Sequence, residues 1–247
     1  MGLRNLYKVF NETRKAAREQ ATLAVVGDSP RAAEIAGLLG AQRGLRGAEV
    51  ILAVSDNALT LSGKAVEDPG EIPLPSPGAP LEELTARVVR ALDEDYLVAL
   101  AKGYEPFRRA VCEELIRNNA RQNAVVGALP IPGADMPVMT ANQARMVLNI
   151  AAAYGEELSI DRARELLGVL AAGFGLRALA RQAVKLVPVG GWAAAAAIGY
   201  AGTIAMGRAT MLYFERGGQR VGEKEMAEIQ RRALQEGKSF VSRLRRR

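Results

Sequence analysis

The chain is 247 residues long with a net charge of +6, a single cysteine and no histidine. That length supports one large domain or a small domain joined to a larger one, and one cysteine forms no internal disulfide, which removes the disulfide-stapled class. Without histidine, Ser–His and Cys–His nucleophile pairs and His-containing zinc sites are excluded, and Cys112 alone cannot build a metal site, so neither metal nor cofactor is expected.

The charge is unevenly spread. Residues 216–247 hold ten Lys/Arg against four Asp/Glu, and the first twenty residues add about three further positive charges, leaving a mildly acidic body between two basic ends. Such a body does not present the continuous basic surface that nucleic acid requires. Two basic ends fit an anionic membrane surface or an acidic partner.

In chain order, residues 1–20 place Leu3, Leu6, Tyr7 and Phe10 at helical spacing among Arg4, Lys8, Arg14, Lys15 and Arg18, an amphipathic basic helix. It lacks the apolar run of a signal peptide, and Leu6 stands where a myristoylation signal needs Ser or Thr. Residues 21–80 read as a small α/β unit. TLAVVGD (Thr22–Asp28) is a strand ending at Gly27, SPRAAEIAGLLG opens with a capping Ser29 and Pro30, and AEVILAVSD (Ala48–Asp56) is a second strand, together a short parallel sheet. DPGEIPLPSPGAP (Asp68–Pro80) is too rich in proline for helix or central strand and reads as an extended connector.

From 81 to 215 the period is helical. The expected helices cover residues 81–103, 104–129 with Gly103 as divider, 136–154 closed by Gly155, a stretch opened by Ser159 and Asp161, and one beginning after VPVGG (Val187–Gly191) and ending near YFERGG. Residues 216–247 form a charged tail whose apolar spacing predicts a last, exposed helix. The segments ALPIPGAD and KLVPVGGW match: each puts proline, a β-branched residue and small residues between two apolar helices. Pro130 and Pro132 in one, and Pro188, Gly190 and Gly191 in the other, mark the tips of two helical hairpins with about four core helices. The expected fold is therefore mostly α, a helical hairpin domain preceded by a small α/β unit.

Chemistry is scarce in this pattern. Counted from Gly27, a phosphate-binding G-x-x-x-x-G-K-[ST] loop would need glycine, lysine and hydroxyl where Ala32, Ala33 and Glu34 stand, so a cation is lost and an anion gained. No N-K-x-D follows. Asp135 in the first hairpin tip has two uses open to it: capping its own helix, or pairing with Lys185, which occupies the corresponding shoulder of the second hairpin. Asn142 and Gln143 are the other polar groups able to bridge hairpins. Leu186–Gly207 is long and uncharged but broken by Pro188, Gly190 and Gly191 and rich in alanine. It is either a buried core hairpin or one that enters lipid, and Gly191, Ala195, Gly199, Gly202 and Thr203 form a small-residue stripe for close helix packing in either setting.

The segments NAVVGALPIPGADMPVMTANQARMVLNIAAAYG and RALARQAVKLVPVGGWAAAAAIGYAGTIAMGRATMLYF resemble the bacterial domain of unknown function 697 family, which often follows Era-like GTPase domains. The resemblance spans roughly Leu115–Phe214, through Pro130 to Asp135, Thr140, Gln143, Tyr154 and Gly155, then Lys185, Pro188, Gly190, Gly191 and Thr203. It implies membrane association with no assigned activity, and it makes the N-terminal unit look like a shrunken GTPase domain that has lost its nucleotide motifs. The expectation is a non-enzymatic, membrane-associated or scaffold protein on the cytoplasmic side of the membrane, with anionic lipid, a membrane protein or a second copy of itself as partner. The alternative is a soluble helical module that binds a protein or apolar ligand between its hairpins. A GTP-binding protein is a third reading, and specific nucleic-acid binding is not expected.

Overall fold

Gly27 ends the first strand with φ +146°, a conformation that L side chains rarely adopt, and a β-carbon there would stand 2.7 Å from the Val54 carbonyl oxygen. Only glycine fits this turn, so the chain reverses from strand to helix within three residues. The computed structural model describes residues 11, 13, 21–44, 47–55, 58–128, 135–157 and 191–244; side chains at 135–137 and 191–192 are not among those described.

Around that turn lies a five-stranded mixed sheet made of β1 (Leu23–Val26), β2 (Gln42–Arg43), β3 (Val50–Val54), β4 (Ala58–Ser62) and β5 (Gly70–Pro73), in the order β2-β1-β3-β4-β5. β1 runs parallel to both β2 and β3, with Leu23 opposite Val50 and Val26 opposite Ala53. This is the expected parallel pairing. β3–β4 and β4–β5 are antiparallel, which extends the short parallel sheet anticipated from the sequence. β5 also lies inside the stretch read as a plain connector. Its Pro73 is tolerated because β5 is the last strand, where a missing N–H costs no ladder bond.

Helix α1 (Pro30–Leu39) buries Ala32, Ile35, Ala36 and Leu39, a single stripe at helical spacing. Residues 81–103 form two helices, not one: α2 (Glu82–Arg90) and α3 (Glu94–Gly103). The break is held from outside, since Glu67 and Asp68 donate their N–H groups to the Ala91 carbonyl and the Asp93 N–H donates to Ala65 O. Asp93 then caps α3 by accepting from the Asp95 N–H at 2.9 Å. The Tyr104 hydroxyl, just past α3, accepts the Leu23 N–H at 2.8 Å and so holds the first residue of β1.

The remaining helices are α4 (Glu105–Ala128), α5 (Asp135–Ala153), α6 (Gly191–Glu215) and α7 (Glu223–Leu244). α5 closes where Gly155 takes φ +82°, as its position predicts. α7 is less exposed than expected of a charged tail: Gln230, Ala233, Gly237 and Val241 are buried, one residue every three or four. The chain divides into two units. One comprises Arg14–Glu114 and Ala152–Glu156 and contains the sheet; the other comprises Met1–Thr13, Leu115–Ala151 and Glu157–Arg247 and is helical where described. The basic helix expected over 1–20, apart from residues 11 and 13, and the helix expected after Ser159 lie outside the described residues, as do Pro130, Pro132, Lys185, Pro188 and Gly190.

Candidate functional site

In the helical unit, polar side chains meet where the helices come closest. On α4, Leu115, Ile116, Asn119, Ala120, Asn123 and Ala124 are buried at three- and four-residue spacing, so Asn123 is an amide carried on an apolar face. An unpaired amide there would cost roughly 1–3 kcal/mol. It is instead the centre of a relay. Asn142 Nδ2 on α5 donates to Asn123 Oδ1 at 3.0 Å, Asn123 Nδ2 donates to Thr203 Oγ1 on α6 at 2.9 Å, and the Thr203 hydroxyl donates to the Gly199 carbonyl at 2.8 Å. Three helices are thereby tied by donors and acceptors that polarise one another.

Small residues let the backbones approach closely enough for this relay to close. A β-carbon on Gly199 would lie 2.7 Å from the Asn123 carbonyl oxygen and 3.1 Å from Met139 Cε, and one on Gly127 would lie 3.1 Å from the Ala195 carbonyl oxygen. A β-carbon on Gly207 would collide with Ile116, and one on Gly237 would stand 2.6 Å from Ala197 O. Of the small-residue stripe expected on α6, Ala195, Gly199 and Thr203 take part in these contacts, whereas Gly202 has nothing within 4 Å of its β-carbon position. Tyr200 stacks on Phe240 of α7 with ring centroids 4.5 Å apart. Burial, and next the charge of Glu236, raise the Tyr200 phenol above its ordinary pKa, while Arg121, Arg243 and Arg117 pull it the other way.

Of the residues anticipated as structural or interacting, Asp135 is the first residue of α5, with its side chain outside those described, and Gln143 is half-buried beside Asn142. Gly191 begins α6. The proposed pair of Asp135 with Lys185 falls outside the described residues. Asn142 bonds within the first hairpin, to Asn123 on α4, and not across to the second as expected; the side chain that crosses to Thr203 on α6 is Asn123, which the sequence reading missed. The available signal was an asparagine placed between Ala120 and Ala124 on an apolar stripe.

The β1–α1 turn is closed on itself. Ser29 Oγ accepts the Ala32 N–H at 3.1 Å, and the helix already begins at Pro30, ahead of the positions where a phosphate loop would place its second glycine and lysine. Glu34 pairs with Arg31 at 2.5 Å, and Arg31 donates to the Pro75 and Ser76 carbonyls. Arg43 donates to the Gly27 carbonyl at 2.7 Å. Among the described residues there is no group of three or more acidic or cysteine side chains placed to hold a metal, and no helix long and apolar enough to cross a membrane.

Fold and site together define a helical packing domain, close-packed through glycine and joined by a buried amide–hydroxyl relay, on a chain that also carries a small mixed sheet. A family model described as a domain of unknown function (DUF697) matches residues 93–239, more than half of the chain, and the chain belongs to that family. The match covers α3 to most of α7 and does not include the sheet. No curated protein and no solved structure matches the chain.

Proposed function

We propose that this protein is a non-enzymatic scaffold that associates peripherally with anionic membrane surfaces, its sheet unit serving as a folded appendage that does not bind nucleotide. The observation that carries this reading is the arrangement of charge on α7. Glu225 pairs with Arg216, Glu228 with Arg231 and Arg232, and Glu236 with Arg208, so these acids are matched locally. Beyond Glu236 the chain has Lys238, Arg243 and Arg245–Arg247 and no acidic residue. Each cation near an anionic surface contributes about 1 kcal/mol, so five suffice for reversible attachment at low ionic strength.

α7 is packed on α6 through Gly237 and the Tyr200–Phe240 stack, so the cationic segment starts from a fixed helix. Internal closure of the β1–α1 turn by Ser29, with Glu34 at the position of the magnesium hydroxyl, supports reading the sheet unit as inactive toward nucleotides. Flotation of the purified protein with phosphatidylcholine vesicles, with and without phosphatidylglycerol, tests the proposal. Co-flotation that requires the anionic lipid and falls as salt rises is the expected result; protein left at the bottom of the gradient with both vesicle types would sink it.

A further inference from the structure

The contacts of α6 fix the direction of its neighbours. Gly127 meets Ala195 and Asn123 meets Gly199, so α4 runs toward the N-terminal end of α6. Met139 Cε lies against Gly199, so α5 starts from that same end. Arg216 pairs with Glu225 while Ala197 meets Gly237, so α7 runs antiparallel to α6. Leu244, seven residues past Gly237, is about 10 Å further along and thus level with the start of α6.

Among the described residues, that common end carries the exposed large apolar side chains of the helical unit. Of the five large hydrophobic residues exposed among those described, Val26 and Leu38 belong to the sheet unit, and the other three are Val125 (62%), Val138 (47%) and Leu244 (50%). Val125 lies three residues from the end of α4, Val138 three residues into α5, and Leu244 is the last residue of α7. Cations accompany them: Arg121 lies one turn before Val125 on α4, Arg243 adjoins Leu244 on α7, and the sequence continues past Leu244 as three arginines.

Resting on the peripheral-membrane reading above, we infer that this end of the helical unit is the docking face, with Val125, Val138 and Leu244 entering the headgroup region of an anionic bilayer while Arg121 and Arg243 meet its phosphates. Charge complementarity selects lipid over a neutral protein groove. Apolar tips with arginines near them in the sequence suit the layered polarity of a bilayer surface, where apolar contact lies deepest and phosphate lies around it. Helices ending together, not one amphipathic flank, would then approach the membrane.

The test uses the full chain and phosphatidylcholine vesicles with and without phosphatidylglycerol. The pair Val125→Asp with Val138→Asp alters exposed positions, and circular dichroism checks that the fold is kept. The pair lowers partitioning to anionic vesicles by about tenfold or more, Arg243→Glu lowers it in a salt-dependent manner, and Leu38→Asp, exposed on the sheet unit, leaves it unchanged. If Arg243→Glu weakens binding but the valine pair does not, the membrane reading stands and the docking face is wrong. Equal loss in Leu38→Asp also overturns the face. If the unaltered protein binds neither vesicle, both ideas fall, and loss of self-association in the valine variant by sedimentation velocity would assign the face to a second copy instead.

Discussion

Gly199 of α6 faces the main-chain carbonyl of Asn123 on α4 so closely that a single added carbon would stand 2.7 Å from that oxygen. A rotamer change relieves a clash between side chains, but a clash with a carbonyl inside a helix is relieved only by moving a helix. The Asn142–Asn123–Thr203 relay depends on the same spacing, so size at position 199 and polarity at position 123 form one structural requirement.

Gly199→Ala is expected to destabilise the protein by about 1–3 kcal/mol, the usual cost of overpacking. Gly202→Ala, three residues along the same helix but with open space at its β-carbon position, should stabilise it by up to ~1 kcal/mol through helix propensity. Opposite shifts of the urea midpoint for the two variants check the contact, and a matching loss in both would show that helix propensity and packing have been misassigned.

Asn123→Ala leaves Thr203 without one donor and Asn142 without its acceptor, at about 1–3 kcal/mol. Thr203→Val removes the other end of the same bond. In a double-mutant cycle the double variant should lose less than the sum of the two single losses, with a coupling of about 0.5–3 kcal/mol. Strict additivity would mean that the relay contributes no joint stabilisation.

Glu49 links the starts of β1 and β3. Its carboxylate accepts from the Thr22 N–H and hydroxyl and pairs with Lys64 at 2.9 Å, and the Thr22 hydroxyl first, then Lys64, hold its pKa down to about 2 from an ordinary 4.5. A lowered folded-state pKa means that the unfolded chain binds the proton more readily, so this stabilisation is present above 4.5 and is lost as pH falls toward 2. Glu49→Gln should cost about 1.5–3 kcal/mol at neutral pH. The gap between variant and parent in chemical denaturation should narrow over that acid range, and a gap independent of pH would remove the carboxylate from the account.

At the β1–α1 turn, Ser29→Ala should cost about 1 kcal/mol by removing the cap of α1. Calorimetric titration of the unaltered protein with GTP and magnesium is expected to show no saturable heat. Micromolar binding would revive the nucleotide reading and require the turn to open.

What the sequence made legible followed from strong local signals. Gly27, Ser29 and Pro30 mark a strand, a cap and a helix start in four residues, and Gly155 and Gly217 end α5 and α6 where the helical period stops. β4 was missed because its alternation, with Leu59 and Leu61 buried, lasts only five residues. Proline at the end of β5 argued against a strand, yet an edge position tolerates it. The break between α2 and α3 depends on hydrogen bonds from residues 65–68, a long-range cause that no local pattern carries. Asn123 was hidden for the opposite reason: its meaning comes from Thr203, eighty residues away.

The bond from Leu23 N–H to the Tyr104 hydroxyl ties the family segment to strand β1, which lies outside that segment. Tyr104 belongs to the family segment, which opens at residue 93, yet residues 93–114 cluster with the sheet, and Tyr104 closes a loop of 81 residues back to β1. A chain cut at the family boundary would retain a tyrosine whose donor had been removed and an α3 whose buried Leu97, Val98 and Leu100 had lost their surroundings. A chain in which another N-terminal unit replaced this one would have to supply a new first-strand donor to that hydroxyl.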